Sequence, residues 1–147
     1  MSLTLAQLEL REVRLPLRET FAISSGSTTV RRILLVRLED ADGREAWAEC
    51  VAAERPNYSS ETVDTAWLAI REWVAPRVLG RCFDDPGSVA PVLETNFRGH
   101  RMAKAAVEMG TWALEAERRG EPLARLLGGV RARIPVGISL GIQREPG

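Results

Sequence analysis

Few side chains in this sequence could carry acid–base or metal chemistry, and their spacing suits it poorly. The single histidine, His100, stands in Gly99-His100-Arg101 just ahead of a helical pattern, where an imidazole reads as a cap or a surface group. Asp84-Asp85 and Glu39-Asp40 are adjacent carboxylates that could share a cation, but both pairs fall at element ends, where capping and turn formation use the same side chains. Lys104 is the only lysine, and arginine keeps its proton at physiological pH, so a lysine base would have to be Lys104. It lies near the start of a helix between alanines, the setting of a solvated or snorkelling side chain. Cys50 and Cys82 have no metal-ligand or redox spacing and are expected to be reduced structural thiols. There is no glycine-rich phosphate loop and no nucleophile elbow. By themselves these residues assign no catalytic group and no metal ligand.

The elements that would position a site are clearer. Leu8, Leu10, Val13, Leu15 and Leu17 alternate in part with charged neighbours, as a half-buried strand does, and Pro16 is expected to stop the ladder. Residues 18–29 are rich in Ser, Thr and Gly and read as a loop. A second strand spans 30–38, Asp42-Gly43 marks a tight turn, and a returning strand spans 45–51, which makes a three-stranded antiparallel meander. A second loop, 52–60, carries Pro56. Ser59 or Ser60 is expected to cap the next helix, with Glu61 in its first turn and Ala66, Trp67, Ile70, Trp73 and Val74 as its apolar stripe; Gly80 ends it. Asp84-Asp85-Pro86 starts another helix through Glu94, and a third carries Met102, Ala106, Met109, Ala113 and Ala116 on one face, with Gly120 as its C-cap. A helical turn over 122–127 ends at Gly128-Gly129. The nearly continuous apolar run Ile134–Ile142 reads as a strand buried on both faces.

Composition narrows the class of partner. The 147 residues suffice for one domain with a core. Twenty basic and twenty acidic side chains balance, with no long run of either sign, which argues against nucleic acid or an anionic membrane as partner. No apolar stretch approaches the ~18 residues of a membrane span. The N-terminus has neither a basic nor an apolar leader segment, so no export signal is read and a cytoplasmic location is expected.

The spacing Ala103-x-Ala105-Ala106-Val107-Glu108, then Ala116, Pro122-Leu123 and Leu126-Leu127-Gly128-Gly129, is similar to the signature of the mandelate racemase and muconate lactonizing group of the enolase superfamily. Within that group, Glu49-Cys50-Val51, Tyr58-Ser59-Ser60-Glu61, Arg101-Met102-Ala103-Lys104, Val107-Glu108-Met109 and 137–142 resemble o-succinylbenzoate synthases and N-succinylamino acid racemases. Ala113 stands where the group carries an acid, Glu117 where it usually carries a basic or amide residue, and Ser25 where these enzymes often have Phe.

The resemblance implies an α+β fold: an N-terminal capping domain over 1–129, then a linker and the first strand of a β/α barrel over 130–147, with the rest of the barrel absent. In such enzymes two barrel lysines exchange a proton next to a carboxylate, and Mg2+ held by three barrel acids stabilises the enediolate. All five groups belong to later strands, so no catalytic residue and no metal ligand are expected here, and Lys104 is neither family base. The two cap loops close over a small carboxylate substrate of the succinyl or N-acylamino acid type. By position the resemblance puts Phe21, Ser25, Ala53, Tyr58 and Ser139 at the substrate. The expected function is therefore that of a substrate-capping fragment of a lyase or isomerase, inactive alone and associating with other copies through 134–142. The alternative is a self-contained α+β ligand-binding or assembly module that reuses the cap fold.

Overall fold

The computed structural model describes residues 2–24 and 26–138. Four strands form one antiparallel sheet in the order β3-β2-β1-β4: β1 (Leu3–Ile23), β2 (Gly26–Asp40), β3 (Glu45–Cys50) and β4 (Cys82–Phe83). The expected meander is present, and β4 adds a two-residue strand on the outer side of β1 through Leu3↔Phe83 and Thr4↔Cys82. The incomplete alternation at the N-terminus has a specific cause. Leu3 and Leu5 face the core at odd positions, a register shift separates Leu5 from Gln7, and Leu8 and Leu10 then face it at even positions. One extra residue changes the face of every side chain after it.

Residues 18–23 and 26–29 are strand, not loop, and Pro16 does not end the ladder. β1 continues to Ile23 and pairs with β2 as a long hairpin, with Phe21↔Thr28 and Ile23↔Gly26 near its tip. Proline instead coincides with the register shift between Pro16 and Phe21, the kind of irregularity at which a strand tolerates a missing N–H. Beyond the last β2–β3 pair, Leu34↔Cys50, this hairpin projects as a two-stranded arm.

Helices cover one sheet face. The first run comprises α1 (Val63–Ala69), a π-helical turn (Ile70–Val74) and α2 (Ala75–Val78). The Ala75 N–H reaches back to the Ile70 carbonyl, and Pro76, which cannot donate, follows directly; the wider turn sits where proline would break an ordinary ladder. The N-cap is Thr62, not Ser59 or Ser60: Thr62 and Thr65 exchange side-chain and backbone hydrogen bonds in a capping box. Leu79 ends the run and Gly80, at φ +70°, turns the chain away, donating its N–H to the Leu5 carbonyl. A 3-10 turn (Pro86–Ser88) leads into α3 (Val89–Glu94), and α4 (Arg101–Arg119) crosses the sheet before α5 (Leu123–Leu126).

The buried face of α4 is Ala103, Ala106, Val107, Gly110 and Leu114, packed with Leu34, Val36 and Leu38 of β2. This differs from the expected stripe: Met109 is 46% exposed. Small residues, not the larger methionine, face the sheet because the helix lies close to it. A Cβ on Gly110 would sit 2.7 Å from Leu38 Cδ1. Gly120 closes the helix at φ +64°, with Glu121 N–H bonding back to the Ala116 carbonyl.

Lys104 is also not solvated. It is 4% exposed, its ammonium lies 3.0 Å from a Glu94 carboxylate oxygen and 4.5 Å from the Phe97 ring centre, and it donates to the Phe97 carbonyl. It fastens the end of α3 to α4. Residues 134–138 have no regular structure, and Ile134, Val136 and Ile138 are 70%, 84% and 83% exposed. The remainder of the expected strand, 139–142, lies outside the described residues.

Candidate functional site

The projecting arm creates a cleft. Residues 28–33 of β2 extend past the end of β3, and the chain leaving β3 at Val51 folds across the notch between them. The cleft measures about 380 Å3; Thr28, Val30 and Arg31 line it from the arm, Glu49 and Cys50 from β3, and Ala53 from the departing loop. Its polar groups are unevenly committed. Arg32 is held by two carboxylates, Glu12 at 2.8 Å and Asp64 at 2.7 Å, which keep its charge satisfied, and hydrogen bonding to Arg32 draws the Glu12 carboxyl down to about 2. Arg31 has no ion pair among the described residues. Burial pushes the Cys50 thiol above its ordinary pKa, so it is a poor nucleophile.

Residues 52–62 form a clasped loop. Ala53 and Thr62 make a parallel bridge, the Val63 N–H donates to the Ala53 carbonyl at 2.9 Å, and the Glu61 N–H donates to Ser59 Oγ at 3.2 Å. Glu61 does not serve the first turn of α1. Its buried carboxylate accepts from the Met102 N–H at 3.0 Å and the Ala103 N–H at 3.2 Å, and so caps α4. That helix lacks a local cap because Gly99 and His100 enter it in left-handed conformations, at φ +70° and +50°, and His100 at the N-cap position accepts no cap bond. One carboxylate thus anchors the loop's far end to the helix under the sheet.

Of the residues expected at the substrate, Ala53 lines the cleft. Phe21 is 37% exposed on the arm, paired across the hairpin with Thr28, which itself lines the cleft. Tyr58 is 97% exposed at the loop's crown and does not line the cleft. Ser25 and Ser139 lie outside the described residues. Thr28, Arg31 and Glu61 were not singled out as site residues from sequence. For Thr28 and Arg31 the signal would have been that they lie on a stretch of β2 longer than its partner β3; for Glu61 there was none, since its partners lie 41 and 42 residues on. Among the described residues no three His, Cys, Asp or Glu side chains gather as a metal site, and no helix is long and apolar enough to cross a membrane.

A four-stranded antiparallel sheet with helices on one face, bearing a projecting arm and a clasped loop, is the architecture of an enolase-superfamily capping domain. The chain belongs to the family described as mandelate racemase / muconate lactonizing enzyme, N-terminal domain, whose model matches residues 6–128. It is 45% identical over 135 residues to an N-succinylamino acid racemase of Thermus thermophilus, covering 92% of this chain and 36% of that protein. It is 36% identical over 143 residues to an o-succinylbenzoate synthase of Geobacillus kaustophilus, covering 97% of this chain and 38% of the relative. A crystal structure of an enolase-superfamily member from Enterococcus faecalis superposes with a TM-score of 0.86 at 35% identity, covering 99% of this chain and 39% of the other. The chain therefore spans little more than a third of the length of the relatives it matches.

Proposed function

We propose that this chain is the substrate-capping part of an o-succinylbenzoate synthase or N-acylamino acid racemase-like enzyme, with residues 1–129 as the cap and 130–147 as the linker and first barrel strand. The observation that carries the reading is the pairing of the arm and the clasped loop around one cleft, in a chain similar to enzymes of both names. Phe21 on the arm and Ala53 in the loop are assigned to the substrate side chain; the family resemblance adds Ser25, Tyr58 and, at the succinyl carboxylate, Ser139 to the substrate contacts. The exposed Ile134, Val136 and Ile138 support the same reading, because apolar surface of this kind asks for cover from further strands or helices.

In the parent, the resemblance implies proton abstraction next to a carboxylate, where Mg2+ would supply positive charge to the anion formed. The described residues do not fit that ion, as they bring no three carboxylates together. What this chain supplies is enclosure: Phe21 and Ala53 offer apolar contact to a substrate side chain, and closing the arm and loop excludes water from the reacting centre.

Two assays test the proposal. The isolated chain, with or without magnesium, should neither dehydrate the o-succinylbenzoate precursor nor racemise N-succinylamino acids; magnesium-dependent turnover abolished by Lys104→Ala would overturn it. In the parent, Phe21→Ala should change relative kcat/KM among N-acyl substrates by about 10- to 200-fold with the fold intact. An equal loss for every substrate, with a lower Tm, would make Phe21 a packing residue instead.

A further inference from the structure

A second depression lies away from the cleft, between the end of α2 and α3. It measures about 630 Å3, with Arg77 and Arg81 on one side, Pro76, Leu79 and Val92 as an apolar wall, and no carboxylate in its lining. Both cations are held in place by rings: the Arg77 guanidinium carbon lies 5.1 Å from the Phe97 ring centre, and that of Arg81 lies 5.6 Å from Phe83.

The charge there is unbalanced. Arg32, Arg37 and Arg118 are half-buried like Arg77, and each has a carboxylate oxygen within 2.9 Å. Arg77 has none among the described residues, and its buried Nε lacks a hydrogen-bond partner. Glu94, the acid at the end of α3, is committed to Lys104. The carbonyl end of α2 favours one cation nearby, which accounts for Arg77 alone; Arg81 adds a second positive charge to the same groove. Two positioned guanidinium forks beside an apolar wall match an anion that carries two carboxylates on a short carbon chain, because each fork pairs with one carboxylate and the wall takes the methylenes. A phosphate would satisfy the forks and leave the wall unused.

We propose that this groove binds a small organic dicarboxylate, with Arg77 and Arg81 taking its two carboxylates and Pro76, Leu79 and Val92 its carbon chain. The site is separate from the substrate cleft. The test is a titration of the nitrogen-labelled chain with glutarate, with hydrogen phosphate as a second dianion, at about pH 8 where both are doubly charged, ionic strength being held constant with sodium chloride. Glutarate should give saturable amide shifts at Gly80, Arg81 and Thr95, with Thr28 and Ala53 of the cleft unmoved, and should bind more tightly than phosphate. Arg81→Gln alters an exposed side chain and should weaken binding about tenfold, the loss of one charge-assisted pair. Arg77→Lys, which keeps the charge and loses the fork, should weaken it as well. Shifts no larger than those from chloride, shifts confined to Thr28 and Ala53, phosphate binding as tightly as glutarate, or unchanged binding in Arg81→Gln would each overturn the proposal.

Discussion

Replacing Glu61 with alanine should destabilise the whole domain although Glu61 belongs to a loop. Its carboxylate accepts from the Met102 and Ala103 amides at 3.0 and 3.2 Å, at the entrance to the 19-residue helix that carries the core face. Loss of a helix cap costs about 0.5–2 kcal/mol, and a hydrogen bond to a charged group contributes about 1.5–3 kcal/mol. These overlap, since the same contacts make both, so the expected cost of Glu61→Ala is about 2–3 kcal/mol. For a domain of this size that lowers Tm by about 5–10 °C. Glu61→Gln keeps an acceptor oxygen and loses the charge that the helix terminus favours, and should cost about half as much. Glu54→Ala, an exposed acid in the same loop, is the control. Urea unfolding gives the free energy, and hydrogen exchange at the Met102 and Ala103 amides locates it. A loss no greater than that of Glu54→Ala, or exchange at those two amides unchanged, would refute the assignment of Glu61 as the cap of α4.

Gly110→Ala should be destabilising in spite of alanine's better helix propensity: the new Cβ meets Leu38 Cδ1 at 2.7 Å in a sealed core, overpacking costs about 1–3 kcal/mol, and the gain in propensity is about 1 kcal/mol. Thermal unfolding should report a net loss of about 1 kcal/mol, and Gly110→Val a larger one. The Glu12–Arg32–Asp64 cluster should shape the acid limb of stability. The folded Glu12 carboxyl, held near about 2 against an ordinary 4.5, stabilises the fold above the ordinary value, and that contribution is lost as pH falls through the folded one. The urea midpoint should therefore fall between about pH 4.5 and 2 in the parent sequence, and less steeply in Arg32→Ala; parallel curves would rule the cluster out. The purified chain should associate with other copies through 134–142, where Ile134, Val136 and Ile138 are exposed; light scattering that finds a stable monomer at all concentrations would count against it.

The meander, the helix order and the family were legible in local pattern, because alternation, turn glycines and helix stops depend on a few neighbouring residues. Asp42-Gly43 marked its turn, Gly80 and Gly120 their helix ends, and the alanine-rich segment its helix. Local pattern misleads where a distant partner decides the outcome. Residues 18–29 have the composition of a loop, yet Phe21, Ala22 and Ile23 at the end of β1 pair with Thr28, Ser27 and Gly26 at the start of β2. Lys104 reads as solvated until Glu94 and Phe97, on another element, enclose it. Met109 outranks Gly110 in hydrophobicity, but the closeness of α4 to Leu38 leaves room only for the glycine. Glu61 is a first-turn acid of α1 by spacing and the cap of α4 by geometry. Short-range preferences select which elements form; which side chains those elements bury, pair or leave free is set by contacts between segments far apart in the chain, and those contacts come into being only when the sheet and helices pack.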